Sequence, residues 1–201
     1  MSELGAVILA AGASTRLGQS KQLLVWRGKS LIARATEAVI GAGVREIVVV
    51  LGARANEIGS TLAGMPVHCV TNSEWAEGMG SSLRAGVAAL ARQNPMLEGV
   101  MITLCDQPFF AMDTANCLIE KWNQNLCNKV YNNKLIIASR YGGSIGVPAI
   151  FGKGHYDKLQ VLSGSEGARR IIDTNAAFVV AIDLPKLAID VDTPEDWARL
   201  Q

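Results

Sequence analysis

Histidine is scarce in this sequence, with only His68 and His155 in 201 residues. Neither is spaced with a cysteine in a ligand pattern, which excludes an ordinary zinc site. The four cysteines, Cys69, Cys105, Cys117 and Cys127, form no C-x-x-C pair and have irregular spacings. They read as buried reduced thiols of a cytoplasmic protein. Neither sign of charge is in excess: the net charge is +1. That argues against a bulk nucleic-acid binder, which needs a basic surface. No apolar stretch approaches the roughly 18–20 uncharged residues of a membrane helix. The early apolar run 4–13 follows Glu3 with no basic segment before it, so it does not read as a signal peptide. There is no internal repeat and no linker-like tract.

What is present is apolar and alternating. A 49% hydrophobic composition excludes disorder. The length fits one domain, expected to span 1–201, that needs no disulfide or metal staple. Ala6–Ala11 reads as a buried strand, Ser30 as the cap of a helix over 31–42, and Glu46–Leu51 as a second strand. A helix is expected over 54–63, a short strand over 67–70, a helix over 79–92 and a strand over 99–105. Asp113 reads as the cap of a further helix, and Leu135–Ser139 as a strand. Ser163-x-x-Glu166 has the capping-box form and predicts a helix to about Asn175. Ala177–Ile182 and Ala188–Asp192 read as late strands, and Thr193-Pro194-Glu195-Asp196 as a helix start. Strand–helix alternation implies an α/β fold, an open and mostly parallel sheet with helices on both faces. Such sheets bind ligands at the carboxyl ends of their strands.

The loops at those ends carry the chemistry. From residue 4 to residue 36 there is no acid, while Arg16, Lys21, Arg27, Lys29 and Arg34 are all basic. The turn Leu9-Ala10-Ala11-Gly12-Ala13-Ser14-Thr15-Arg16 follows the first strand, and Lys21 lies just beyond it. Exposed backbone N–H groups plus full positive charges make an anion cradle suited to a polyphosphate. An ordinary βα turn with solvated basic residues fits the same composition. The segment is neither a P-loop nor a G-x-G-x-x-G fingerprint. Asp106 is the only charged residue between Gly99 and Met112 and sits where an apolar strand ends. A carboxylate there suits Mg²⁺ beside phosphate oxygens; it equally suits a plain turn before Gln107-Pro108. Asp190 and Asp192, two apart, would face one side of a strand, unless one of them only leads into the next helix. The stretch from Asn72 to Leu83 offers Gly78, Ser81 and Ser82 at a helix start, for reading a base or for capping alone.

Taken together, L-A-A-G-x-S-x-R-x-G-x-x-K after the first strand, C-D-Q-P and D-x-D-T-P-E-D resemble the MobA-like nucleoside triphosphate (NTP) transferases, close to the molybdenum cofactor cytidylyltransferases. The resemblance runs from Ala6 to the C-terminal helix. It implies a Rossmann-like three-layer α/β/α domain with a mixed sheet, of nucleotide-diphospho-sugar transferase type. It implies a triphosphate held by Leu9, Ala10, Ala11 and Gly12, with Arg16 and Lys21 on its phosphates. Asp106 and the late acids, Asp192 before Asp190, would hold Mg²⁺. Asn72, Gly78, Ser81 and Ser82 would lie beside the nucleotide, and their pattern favours CTP. The implied reaction transfers CMP from CTP to a phosphate-bearing acceptor, molybdopterin above all, for a molybdoenzyme client. One departure bears on the acceptor: the family often has Gly-His-Pro where this chain has Gly146-Val147-Pro148. That keeps open a sugar- or polyol-phosphate acceptor; the Gly12 loop without a metal would also suit a non-catalytic nucleotide- or cofactor-binding module.

Overall fold

The computed structural model of the chain describes residues 3–128 and 130–201. Nine strands and seven α-helices are formed among them: β1 Leu4–Ala10, a small hairpin of β2 Val25–Trp26 and β3 Lys29–Ser30, α1 Leu31–Gly41, β4 Glu46–Leu51, α2 Ala55–Thr61, β5 His68–Thr71, α3 Met79–Gln93, β6 Gly99–Leu104, α4 Met112–Leu126, β7 Ile136–Tyr141, β8 Ser144–Gly152, α5 Tyr156–Gln160, α6 Arg169–Thr174, β9 Val179–Asp183 and α7 Pro194–Ala198. Seven strands make one sheet in the order β5-β4-β1-β6-β8-β7-β9. β8 runs against β6 and β7, whereas the other pairings are parallel. This is the single α/β domain with a mostly parallel, mixed sheet that the alternation implies.

Period two decides which layer each strand residue joins. Along β1, Ala6, Ile8 and Ala10 pack with Ile32 and Val39 of α1, Ile58 of α2, and Leu118 and Trp122 of α4. Val7 and Leu9 face the other layer, with Leu83, Val87 and Leu90 of α3, Leu159 of α5 and Ile171 of α6. Each fully buried Leu, Ile or Val contributes about 1.5–3 kcal/mol by leaving water. Helix α3 lies so close to the sheet that a Cβ on Gly86 would stand 2.5 Å from Val7 Cγ1, which explains a glycine in mid-helix. A third cluster, Leu17, Leu24, Trp26, Leu31 and Val191, ties the loop after β1 to the chain before α7.

The structure corrects several sequence expectations. No strand forms over 188–192: Pro185–Ala188 is a 3-10 turn, and Val191 N–H instead donates to the Asp106 carbonyl at 3.0 Å. Helix α4 is not capped by Asp113; Ala111 holds that position, and Asp113 sits in the first turn, where its charge still favours the helix dipole. Glu166 accepts from Ser163 N–H at 3.1 Å, but the helix opens only at Arg169, after Gly164 at φ +54°. Strand β8 has no counterpart among the expected elements, although it carries Gly146 and Pro148, residue types that strand interiors usually avoid. Its register with β7 shifts after Ala138, and the Val147–Pro148 pair falls at that bulge, where a missing donor is tolerated. Only Cys105 is buried; Cys69, Cys117 and Cys127 are exposed, and all four are free thiols. They lie on an edge strand, on the outer face of α4 and at its end, where apolar neighbours in sequence do not mean burial. Among the described residues no helix is long and apolar enough to cross a membrane.

Candidate active site

β1 leaves the sheet between β4 and β6, so its loop opens at the point where the strand order reverses. Gln22, 1% exposed, braces that loop from beneath. Its Nε2 donates to the carbonyls of Ala10 at 3.1 Å and Gly12 at 2.8 Å, while its Oε1 accepts from Ser20 Oγ at 2.7 Å. Ser14, at φ +56°, accepts the Lys21 N–H on its hydroxyl at 3.1 Å. The brace turns Lys21 inward, toward the end of β6. Sequence reasoning overlooked Gln22; the signal is a polar residue directly after Lys21 and ahead of the apolar pair Leu23-Leu24.

Three charged groups meet there. Lys21 Nζ lies 2.5 Å from Asp106 Oδ2 and 2.8 Å from Asp192 Oδ1, and Arg16 Nη2 lies 2.8 Å from Asp192 Oδ2. The side chains of Lys21 and Asp106 are only 17% and 14% exposed. Burial by itself lowers the Lys21 pKa, but the Asp106 charge and the hydrogen bonds to both carboxylates outweigh it, and the ammonium titrates above the ordinary lysine value. Burial works the other way on Asp192, where Lys21 and then Arg16 hold the carboxyl below the usual range. Asp190, though exposed at the surface, is raised, by partial loss of hydration first and then by the charges of Asp106 and Asp192. The Cys105 thiol, buried beside Asp106, is pushed up to about 12 and is inert.

The facing wall is the turn between β5 and α3. Asn72 Nδ2 donates to Ser81 Oγ at 2.8 Å and Ser82 Oγ at 3.1 Å, and its Oδ1 accepts from Glu74 N–H at 3.0 Å. Gly78, at φ +128°, passes so near Gly164 that a Cβ would fall on that carbonyl. Arg84 clamps the region by pairing with Glu74 and Glu77 and donating to the Leu162 carbonyl at 3.0 Å.

Between the walls lies a cleft of about 360 Å³, lined by Leu9, Ala10, Ala11, Gly12, Lys21, Gly78, Ser82 and Asp106, and also by Thr15, Trp75 and Met79. That volume suits a small-molecule ligand, for which roughly 300–1,000 Å³ is usual. Most of the expected site residues therefore converge. Asn72 and Ser81 stand behind the wall, with polar atoms already bonded inside the protein. Arg16 lies outside the lining, 71% exposed, and reaches Asp192 instead. Asp190 is exposed, beside the same acids.

The residues fit a hard divalent cation. Asp106 Oδ1 is buried without a hydrogen-bond partner, and Asp192 reaches the same ammonium as Asp106. Carboxylate oxygens suit Mg²⁺ or Mn²⁺ better than softer metals. Among the described residues no three His, Cys, Asp or Glu side chains are grouped so as to hold a metal by themselves, so phosphate oxygens would have to complete the set.

Comparison with known proteins bears on the family and the fold. A family model described as the MobA-like NTP transferase domain matches residues 6–179. Nicotine blue oxidoreductase of Paenarthrobacter nicotinovorans is 33% identical over 206 residues, covering 96% of this chain and 94% of its own. The molybdenum cofactor cytidylyltransferase of Escherichia coli K12 is 24% identical over 200 residues, covering 98% and 95%. Among solved structures, the manganese complex of Rv0371c from Mycobacterium tuberculosis H37Rv superposes with a TM-score of 0.77 at 28% identity, covering 99% of this chain and 98% of that one.

Proposed function

The chain belongs to the MobA-like NTP transferase family, and from that premise we propose that it transfers CMP from CTP to a phosphate-bearing acceptor, with molybdopterin favoured, and releases pyrophosphate. The observation that carries this reading is the bridge from Lys21 to Asp106, which line the cleft together with Gly12, and on to Asp192 outside that lining. The relative named a molybdenum cofactor cytidylyltransferase supports the nucleotide and the acceptor. The relative named an oxidoreductase shows that membership alone does not fix the reaction; the charged bridge is what favours transfer here.

In this mechanism an acceptor phosphate oxygen forms a bond to the α-phosphorus, and the α–β bridging P–O bond breaks. The bond electrons leave with pyrophosphate. A phosphate monoester, whose second pKa is about 6, is largely dianionic at neutral pH and needs no strong base. Neither histidine is called upon: His155 is buried and bonded to the Lys134 carbonyl, and His68 is on the edge strand β5. Lys21 and Arg16 neutralise the charge that develops on the leaving pyrophosphate. The backbone from Leu9 to Gly12, held by Gln22, positions the phosphates, and Gly78 and Ser82 border the base. A divalent ion on Asp106 and Asp192, with Asp190 in reserve, would supply Lewis-acid neutralisation of the phosphates. The proposed unit is the chain 1–201 acting in the cytoplasm, where exposed free thiols stay reduced.

Val147 favours a second reading, a sugar- or polyol-phosphate acceptor. Its carbonyl is held by Tyr141 Oη at 2.5 Å, and its side chain packs on the apolar layer, so it offers no imidazole to an acceptor. Thermal shift with each triphosphate plus Mg²⁺ tests the nucleotide. CTP should raise the melting temperature most, since a ligand that binds only the native state stabilises it by mass action. Equal shifts from all triphosphates would remove the cytidine preference, and tight binding without turnover on any acceptor would favour the accessory-module reading.

A further inference from the structure

The proposed reaction leaves one charged region of the molecule unused. Arg27 and Gly28 form the turn of the β2–β3 hairpin, at φ +50° and +80°. Asparagine or glycine suits the first of these positions better than arginine does. The guanidinium carbon of Arg27 lies 4.4 Å from the Trp26 ring centroid, and that of Arg34 on α1 lies 4.6 Å from the same centroid. Trp26 is a fixed platform: it is 6% exposed, and its Nε1 donates to the Leu200 carbonyl at 3.1 Å. One ring therefore holds two like charges together. Burial first, and then the charge of Arg27, draws the Arg34 pKa below the ordinary arginine value.

The protein does not neutralise this pair. Among the described residues Arg27 and Arg34 make no hydrogen bond and no ion pair, and Arg34 Nε is buried without a partner. Both guanidinium forks keep donors to spend. Lys29, nearby, is already paired with Glu37 at 2.6 Å. These four charged residues line a cleft of about 300 Å³, together with Ala111 and Met112 at the start of α4. Three cations against one acid leave the lining at +2, and Asp113, exposed in the first turn of α4 and outside the lining, still leaves +1. Ala111 offers no side chain to cap α4, so the N–H groups of that first turn have no side-chain acceptor at the cap. Arginine forks and helix N-termini both suit an oxyanion. None of the residues that line this cleft lines the active cleft.

We infer that this cleft is a second oxyanion site, separate from the active cleft, that takes the phosphate group of a small molecule on Arg27, Arg34 and the start of α4. A phosphate dianion matches the +2 lining, whereas a single carboxylate leaves one guanidinium unpaired. The site stands or falls independently of the nucleotidyl-transfer reading.

Nuclear magnetic resonance of the ¹⁵N-labelled full chain, titrated with inorganic phosphate at constant ionic strength, tests the site. The backbone amides of Met112, Asp113 and Thr114 and the Nε–H signals of Arg27 and Arg34 should shift and saturate together. Arg27→Asn removes one charge while suiting the turn, and Arg34→Gln removes the other. Each should weaken binding at these signals by about tenfold or more, with melting curves confirming the fold. Glycerol 3-phosphate, titrated in the same way, separates two sources of the same chemistry. Tighter binding than inorganic phosphate assigns a phosphate ester to the site, and weaker binding assigns the free anion. Shifts that sodium chloride reproduces, saturation confined to residues 12–21 of the active cleft, or unchanged binding in both folded variants would each overturn the site.

Discussion

The two ends of the sheet make an instructive pair. At the amino ends of the strands a hollow of about 490 Å³ is lined by Glu3, Leu4, Val44, Arg45, Glu46, Asn94, Leu97 and neighbours. At the carboxyl ends the cleft is smaller, about 360 Å³. The larger space holds the poorer chemistry. Glu3 and Arg45 are exposed and Glu46 is half-buried, so solvent screens them and their charges do little. At the other end Lys21 and Asp106 are mostly withdrawn from water and joined at 2.5 Å. Charges that converge out of water identify a site better than volume does, because a low local dielectric strengthens each interaction.

The largest expected effect sharpens this contrast. Lys21→Ala and Asp106→Ala should each lower turnover by about two orders of magnitude or more, the scale for losing one oriented electrostatic contact. Arg45→Ala at the opposite end should leave it unchanged. Steady-state pyrophosphate release on folded variants reads both, and a comparable loss in Arg45→Ala breaks the comparison. Next is the brace beneath the loop. Gln22→Ala strands the carbonyls of Ala10 and Gly12, and should cost about 1–3 kcal/mol in urea unfolding. A loss near zero would mean that water satisfies the loop equally well.

Smaller effects come from pH. The folded-state pKa of Asp192 lies below its ordinary value of 3.8, so the unfolded chain binds more protons in that window. Its contribution to stability is therefore complete above pH 3.8 and is lost as pH falls through the lowered native value. Melting curves of wild type and Asp192→Asn should converge on acidification; a gap that stays constant contradicts the ion pair. Asp190 has the opposite sign. Its raised pKa means that ionisation is disfavoured in the fold beside Asp106 and Asp192. In metal-free protein at neutral pH, Asp190→Asn should melt at or slightly above wild type, and a clear drop would show that the carboxylate is held by a favourable partner.

Much of this was legible in the sequence where local chemistry and tertiary position agree. Ser30 caps α1 by accepting from Ala33 N–H at 3.3 Å, and Thr193 with Asp196 closes a full capping box at α7, both as their spacings imply. The convergence of Lys21 with Asp106 and Asp192 follows from placing each motif at the carboxyl end of a parallel strand or on the segment that docks there. What sequence did not reveal depends on long-range partners. The 188–192 segment has strand-like alternation, yet it bonds to the Asp106 loop and joins no ladder. Asn72 and Ser81 look like ligand-facing polar residues, but each is consumed by the other across the turn. Gln22 acts through carbonyls ten and twelve residues away, so its position beside Lys21 hints at a polar role but not at its partners.

One measurement bears on the whole assignment: pyrophosphate release from each ribonucleoside triphosphate with Mg²⁺ and a panel of phosphate-bearing acceptors, in wild type and Lys21→Ala side by side. The expected result is release from CTP with one acceptor, lost on replacing Lys21. Release from no triphosphate with any acceptor, or an undiminished rate in Lys21→Ala, would contradict it.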